Sequence, residues 1–164
     1  ALRQRVSQLP LPHRARVLCL GARLGGEVQA FHDAGHFAIG IDLNPGAGNP
    51  LVVTGDMHHL IFASGSVDVV FTNSLDHSQD LERVCAEVLR VLAPTGYFLV
   101  EASTGSQNHQ YPGHWSSLWW ERMDDLIQRI EAAGFQLRDR TSMSIPWKGE
   151  SLLFVVDQSF PPFV

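Results

Sequence analysis

Four short stretches carry residue types suited to a nucleotide-like ligand. The first is "LCLGARLGG", residues 18–26. An apolar run ending in glycines fits a buried strand that turns sharply into a helix. Gly21 would allow the tight exit, and Gly25 or Gly26 would let a ligand approach the helix start, where backbone N–H groups are free. Arg23 stands in mid-loop, where such turns usually keep a small residue. The second stretch is "GIDLN". Asp42, its middle residue, falls near the end of the second apolar run, about 20 residues past the first glycine, where a carboxylate suits the two hydroxyls of a ribose. The third is "GDMHHL", in which Asp56 could accept from an exocyclic amine such as that of adenine. The fourth is "TNSLDH", with Asn73, Asp76 and His77. Each acid also has a plainer use as a turn or cap residue. The joint occurrence is more specific than any one stretch.

These stretches need elements to hold them. Short apolar runs alternate with amphipathic segments. Strands are expected at 16–22, 36–44, 51–56, 67–74 and 96–103, with closing strands at 135–143 and 150–158. Helices are expected at 25–35, 80–94 and 116–134. The clearest helical stripe is Leu81, Val84, Cys85, Val88, Leu89 and Leu92. Strand–helix alternation implies an α/β fold, a parallel sheet with helices on both faces. The last two strands are joined by "SIPWKG", too short for a parallel crossover, so they should pair antiparallel. All four stretches then project from the carboxyl edge of one sheet, where ligands bind such folds.

Composition narrows the class. The chain has 164 residues, 45% hydrophobic and 18% charged, as expected for one globular domain. The expected division is a short N-terminal arm, 1–15, and one domain, 16–164. No apolar run approaches the ~20 residues of a membrane span. Residues 1–15 lack the apolar centre of a signal peptide. Cys19 and Cys85 sit in apolar surroundings and read as reduced core residues, which suits a cytoplasmic or other reducing compartment. The net charge of −5 argues against nucleic acid as a general partner. Arg3, Arg5, Arg14, Arg16 and Arg23 nevertheless precede the first acid, Glu27. They read as a solvated, loosely ordered arm, or as a basic arm for RNA or a partner subunit.

The sequence resembles the class I S-adenosylmethionine-dependent methyltransferases, in particular the small type 11-like group. The carrying residues are "VLCLGARLGGEV", "GIDLNP", "VVTGDMHHLIFASGSVDVVFTNSLDH" and "LERVCAEVLRVLAPTGYFLVE". The resemblance runs from about Arg16 to Gln158 and is strongest from Gly55 to Glu101. It implies a doubly wound, Rossmann-like sheet of strand order 3-2-1-4-5-7-6 and S-adenosyl-L-methionine as cofactor. By position, Gly21, Ala22, Arg23 and Gly25 would line the methionine part. Asp42 would bind the ribose, and Leu43 would pack on the adenine. Asp56 and the Met57 backbone would hold the adenine edge, and Asn73 would sit near the methionine amino end. Two positions depart from the family pattern. Cys19 stands where it has an acid, and Arg23 where it has its middle glycine. Cys19 cannot hold an ammonium as a carboxylate would.

Methyl transfer is an in-line displacement, so the protein mainly positions two reactants. A base is needed only if the nucleophile carries a proton. His77 is the candidate base, with Asp76 to orient it; the alternative is that "LDH" caps the helix that follows. His58, Trp115 and Trp119 are the candidate substrate-binding residues. The indoles suit an aromatic or cationic group, or else they pack the helix, as Trp120 would. The segment 103–113 reads as a lid or substrate loop. Asp56, His58, His59 and His77 lack the regular spacing of a metal site, so none is expected.

The expected function is methyl transfer to a small-molecule or macromolecular acceptor. The core carries little to cover a substrate, so a second copy or a partner chain could close the site. The rival from another class is a methyltransferase-like binding or assembly subunit without catalysis. A nicotinamide-dependent oxidoreductase is disfavoured, because the glycines do not follow G-x-G-x-x-G.

Overall fold

The computed structural model describes residues 2–159, so residues 1 and 160–164, the outer ends of the expected arm and domain, lie outside it. A short helix α1 (Leu2–Val6) leads into β1 (Arg16–Leu20), α2 (Gly26–Asp33), β2 (Phe37–Asp42) and β3 (Val52–Thr54). Then come β4 (Val67–Thr72), α3 (Leu81–Val91), β5 (Leu92–Ala102), α4 (Met123–Ala132), β6 (Phe135–Met143) and β7 (Gly149–Val156). The strands form one seven-stranded sheet in the expected order, β3-β2-β1-β4-β5-β7-β6. β3, β2, β1, β4 and β5 run parallel, and β7 is antiparallel to both β5 and β6.

Side-chain alternation splits the core in two. Leu18, Leu20, Ile41, Val70, Phe98 and Val100 face α3 and α4. Val17, Cys19, Val69, Phe71, Leu99 and Leu153 face the other way, onto Phe31 and Val28 of α2 and Val6 of α1. Being covered on both faces is why β1 and β4 are continuous apolar runs rather than alternating ones. The helix α3 starts at Asp80, whose side chain accepts from the Arg83 backbone N–H at 2.8 Å.

Three local expectations are corrected. The arm is not a loose tail. Arg5 and Val6 lie on a helical turn, Val6 is fully buried, and Leu2, Leu9 and Leu11 pack against the same cluster. Apolar residues interleaved among the arginines supply the reason. Second, α4 begins at Met123, not near Ser116. The Trp119 indole N–H donates to Ser106 Oγ at 2.8 Å and that of Trp120 to the Ser103 carbonyl at 2.8 Å. The Ser117 and Leu118 N–H groups donate to the Asp76 carbonyl. These long-range bonds hold 115–120 in an irregular path. Third, α3 stops at Val91, and Leu92 already belongs to β5.

No helix covers the connections 43–51 and 55–66. The outer sheet edge therefore leaves Phe37, Ile39 and Val53 exposed at 58%, 37% and 39%.

Candidate functional site

The strand order reverses between β1 and β4, and the loops leaving β1, β2, β3 and β4 meet at that point. They enclose a cavity of about 500 Å³. Gly21, Ala22, Arg23, Asp42 and Leu43 line it, and so do Asp56, Met57, His58, Asn73 and His77. Gly25 stands just outside as the residue before α2, with φ 83°. Gly21 has φ 65°, and a Cβ there would lie 2.7 Å from Ser74 Cβ. Only glycine lets the first and fourth loops approach this closely.

Arg23 fits the loop through its backbone. It has φ 35°, its N–H donates to Asp42 Oδ2 at 3.0 Å, and its carbonyl accepts from the Asn49 side chain at 3.1 Å. Its side chain is exposed and has no hydrogen bond or ion pair among the described residues. Asp42 Oδ1 accepts from the Asn44 N–H at 2.7 Å. Each oxygen of Asp42 keeps acceptor capacity for a ligand hydroxyl.

Asp56 and His58 form a unit. Asp56 Oδ1 accepts from the His58 backbone N–H at 2.8 Å and lies 2.7 Å from His58 Nδ1. His58 Nε2 faces the N–H groups of Gln79 and Asp80 at 3.3 and 3.4 Å, so the proton belongs on Nδ1. His58 thus ties the third loop to the start of α3. Burial pushes the Asp56 carboxyl up, but the hydrogen bonds from the His58 backbone and ring outweigh it and hold it below its ordinary value. Asp56 Oδ2 accepts no hydrogen bond among the described residues; His59 Nδ1 approaches it only to 3.8 Å.

Cys19 is buried, and burial, with help from the Glu27 charge, pushes its thiol well up, so it stays neutral. Besides Asp42 and Asp56, the cavity is lined by a third acid, Glu27, in the first turn of α2. Asn73 Nδ2 donates to its Oε1 at 3.0 Å. Sequence reasoning missed Glu27. Its one signal was an acid directly after "GG".

A second cavity, about 240 Å³, adjoins the first and shares Asn73, Ser74 and His77 with it. Asp76, Glu101, Trp120 and Trp147 also line it. His77 Nε2 lies 3.6 Å from Asp76 Oδ2, which accepts from Ser116 Oγ at 2.8 Å. The cap of α3 is Asp80, not the "LDH" turn. Trp115 is 77% exposed and lines neither cavity. Trp119 lines neither as well; it stacks on Trp120 with centroids 5.2 Å apart. Among the described residues no group of three or more His, Cys, Asp or Glu side chains is arranged to hold a metal ion. No helix among them is long and apolar enough to cross a membrane.

A sheet of this order with a cavity at its switch point defines the class I methyltransferase architecture. The family model described as a methyltransferase domain matches residues 18–100, half of the chain, and the chain belongs to that family. No curated protein matches it by sequence. Among solved structures, one from Haloferax volcanii, a complex of the Trm112 methyltransferase activator with a methyltransferase, is similar at TM-score 0.73 and 18% identity, covering 95% of this chain and 89% of that one. The Burkholderia thailandensis 1,6-didemethyltoxoflavin-N1-methyltransferase, with its substrate and S-adenosylhomocysteine bound, is similar at TM-score 0.73 and 21% identity, covering 96% and 78%. The [4+2]-cyclase SpnF is similar at TM-score 0.71 and 19% identity, covering 87% and 60%. At these identities the likeness is one of fold.

Proposed function

We propose that this protein transfers a methyl group from S-adenosyl-L-methionine to an acceptor held beside His77. The observation that carries this reading is the convergence of Asp42, Asp56 and the Glu27–Asn73 pair on one cavity. The spacing of donor and acceptor types suits the cofactor's three parts. Asp42 would take the ribose hydroxyls through its spare acceptor sites. Asp56 Oδ2 would accept from the adenine amine, with Leu43 and Met57 beside the ring. Glu27, rather than the neutral Cys19, would pair with the methionine ammonium, held in position by Asn73. The bound cofactor supplies an electrophilic methyl on a sulfonium. The chain positions the acceptor in line with it, and His77 takes a proton where the acceptor carries one.

The rival reading is a binding subunit that has lost catalysis, which Arg23 and Cys19 suggested. The left-handed backbone of Arg23 and its exposed side chain favour a maintained site instead. The cyclase among the structural neighbours makes a direct readout of cofactor binding necessary. Cys19 and Cys85, both buried and unpaired, suit a reducing, cytoplasm-like compartment. A partner chain or second copy would have the exposed Phe37–Ile39–Val53 edge to cover, and the Haloferax methyltransferase is found with an activator.

Calorimetric titration with S-adenosylmethionine and S-adenosylhomocysteine tests the proposal. Binding at about micromolar Kd is expected, weakened about tenfold or more by Asp42→Ala. Glu27→Gln should weaken S-adenosylhomocysteine by a similar factor and leave 5′-methylthioadenosine, which lacks the amino-acid part, unchanged. No binding of either cofactor form by the unaltered protein up to about millimolar ligand would remove the reading.

A further inference from the structure

The second cavity has a chemistry of its own. Its inner wall is Glu101, the penultimate residue of β5, which is 3% exposed. Glu101 Oε1 accepts from Arg5 Nε at 2.8 Å and from a terminal nitrogen of the same guanidinium at 2.5 Å. Its Oε2 accepts from nothing among the described residues. That oxygen is not sealed in the core, so a ligand or water entering the cavity can supply its donor.

Two indoles complete the wall. Trp120 has spent its N–H on the Ser103 carbonyl, so its ring offers apolar and π surface. Trp147 sits in the turn before β7, two residues after Ile145, whose carbonyl accepts from the third nitrogen of Arg5 at 2.9 Å. One guanidinium thus braces both the carboxylate and the loop that carries the indole. Asp76 is the second acid of the lining, and no lysine or arginine is part of it. An entering group meets two carboxylates, an imidazole and two indoles. That environment attracts planar cations and N–H donors and repels carboxylates and phosphates.

We propose that this cavity is the acceptor site, and that the acceptor presents a planar, N–H-bearing nitrogen group, neutral or cationic, to Glu101 Oε2 between Trp120 and Trp147. The word acceptor rests on the methyltransferase reading above; the ligand preference does not. In the transfer, the nitrogen gives one N–H proton to His77, which faces both cavities, before attack where the group is cationic and after it where the group is neutral; the nitrogen lone pair forms the new N–C bond, and the C–S bonding pair stays on sulfur.

Benzamidine and benzoate, planar and nearly isosteric but opposite in charge, test this by ligand-observed NMR and calorimetry. Benzamidine should bind below about 10 mM and benzoate should not. Glu101→Gln, which keeps an acceptor for Arg5, should weaken benzamidine about tenfold, as should Trp147→Ala. Should Glu101→Gln fail to fold, Trp147→Ala on the exposed turn carries the test. Benzamidine failing to bind, binding both variants undiminished, or being matched by benzoate would each overturn the inference. S-adenosylhomocysteine is titrated into the same samples. Benzamidine binding without it leaves the cavity's preference standing and removes methyl transfer; the reverse result removes the preference alone.

Discussion

Arg23 sits in the loop between β1 and α2 that lines the larger cavity, and its backbone has φ 35°. A side chain in that region costs about 1 kcal/mol. The cost is met locally, because the Arg23 N–H is held by Asp42 and its carbonyl by Asn49. The loop shape thus comes from its hydrogen bonds, and the side chain is left exposed. Arg23→Gly is therefore expected to leave S-adenosylhomocysteine affinity within about threefold, since a change below ~0.6 kcal/mol is all that is involved. A gain of tenfold or more in the same titration would mean that the side chain obstructs the site.

At the scale of elements, the third loop is held by α3 rather than by a helix of its own. Glu87 Oε2 accepts from the Leu60 N–H at 2.7 Å and pairs with Arg90 at 2.9 Å. Arg90 in turn donates to the Leu60 and Phe62 carbonyls at 2.8 Å each. The bond from Arg90 holds the Glu87 carboxyl below its ordinary 4.5, more strongly than burial raises it. Glu87→Ala leaves a buried N–H and a guanidinium without their partner and should destabilise by about 2–3 kcal/mol. That corresponds to about 5–10 °C in Tm for a chain of this size. A depressed carboxyl contributes stability that is present above 4.5 and is lost as pH falls through the lower folded value. The Tm gap between the protein and the variant should therefore narrow below that pH. A gap that is constant with pH would assign the loss to packing alone.

At the scale of the whole molecule, the arm closes the structure over the end of β5. Arg5 reaches from α1 to Glu101, 96 residues away in sequence. Burial pushes the Glu101 carboxyl above its ordinary value, and the nearby Glu27 adds to this; Arg5 only partly offsets it. Here the sign runs the other way. A raised carboxyl favours folding most at low pH, and stability is lost as pH rises through the folded value. Arg5→Met removes the compensating charge and should destabilise by about 2–3 kcal/mol at pH ~8. The deficit should shrink as pH falls and Glu101 takes up a proton, which its raised carboxyl does sooner than an ordinary one. Thermal unfolding as a function of pH measures this, and an equal deficit throughout would show that Arg5 contributes through packing rather than charge.

Local pattern was enough for what local physics controls. Apolar runs, glycine turns and the stripe of α3 marked the strands and the helices α2 and α3, because periodicity reports directly which face is buried, whereas the full strand order came with the family resemblance. The residues at the strand ends, Gly21, Asp42, Asp56 and Asn73, were legible for the same reason: their place follows from the strands before them. Tertiary structure alone decided the rest. Nothing near Trp120 in sequence says that its indole N–H finds the Ser103 carbonyl and leaves α4 to start at Met123. Nothing near Arg5 points to Glu101, nor near Trp147 to the cavity it lines. Glu27 reads as an ordinary first-turn acid until Asn73, 46 residues on, is seen beside it. These pairings join groups far apart along the chain, and their partners are chosen by which buried donors and acceptors remain unsatisfied once the sheet has formed.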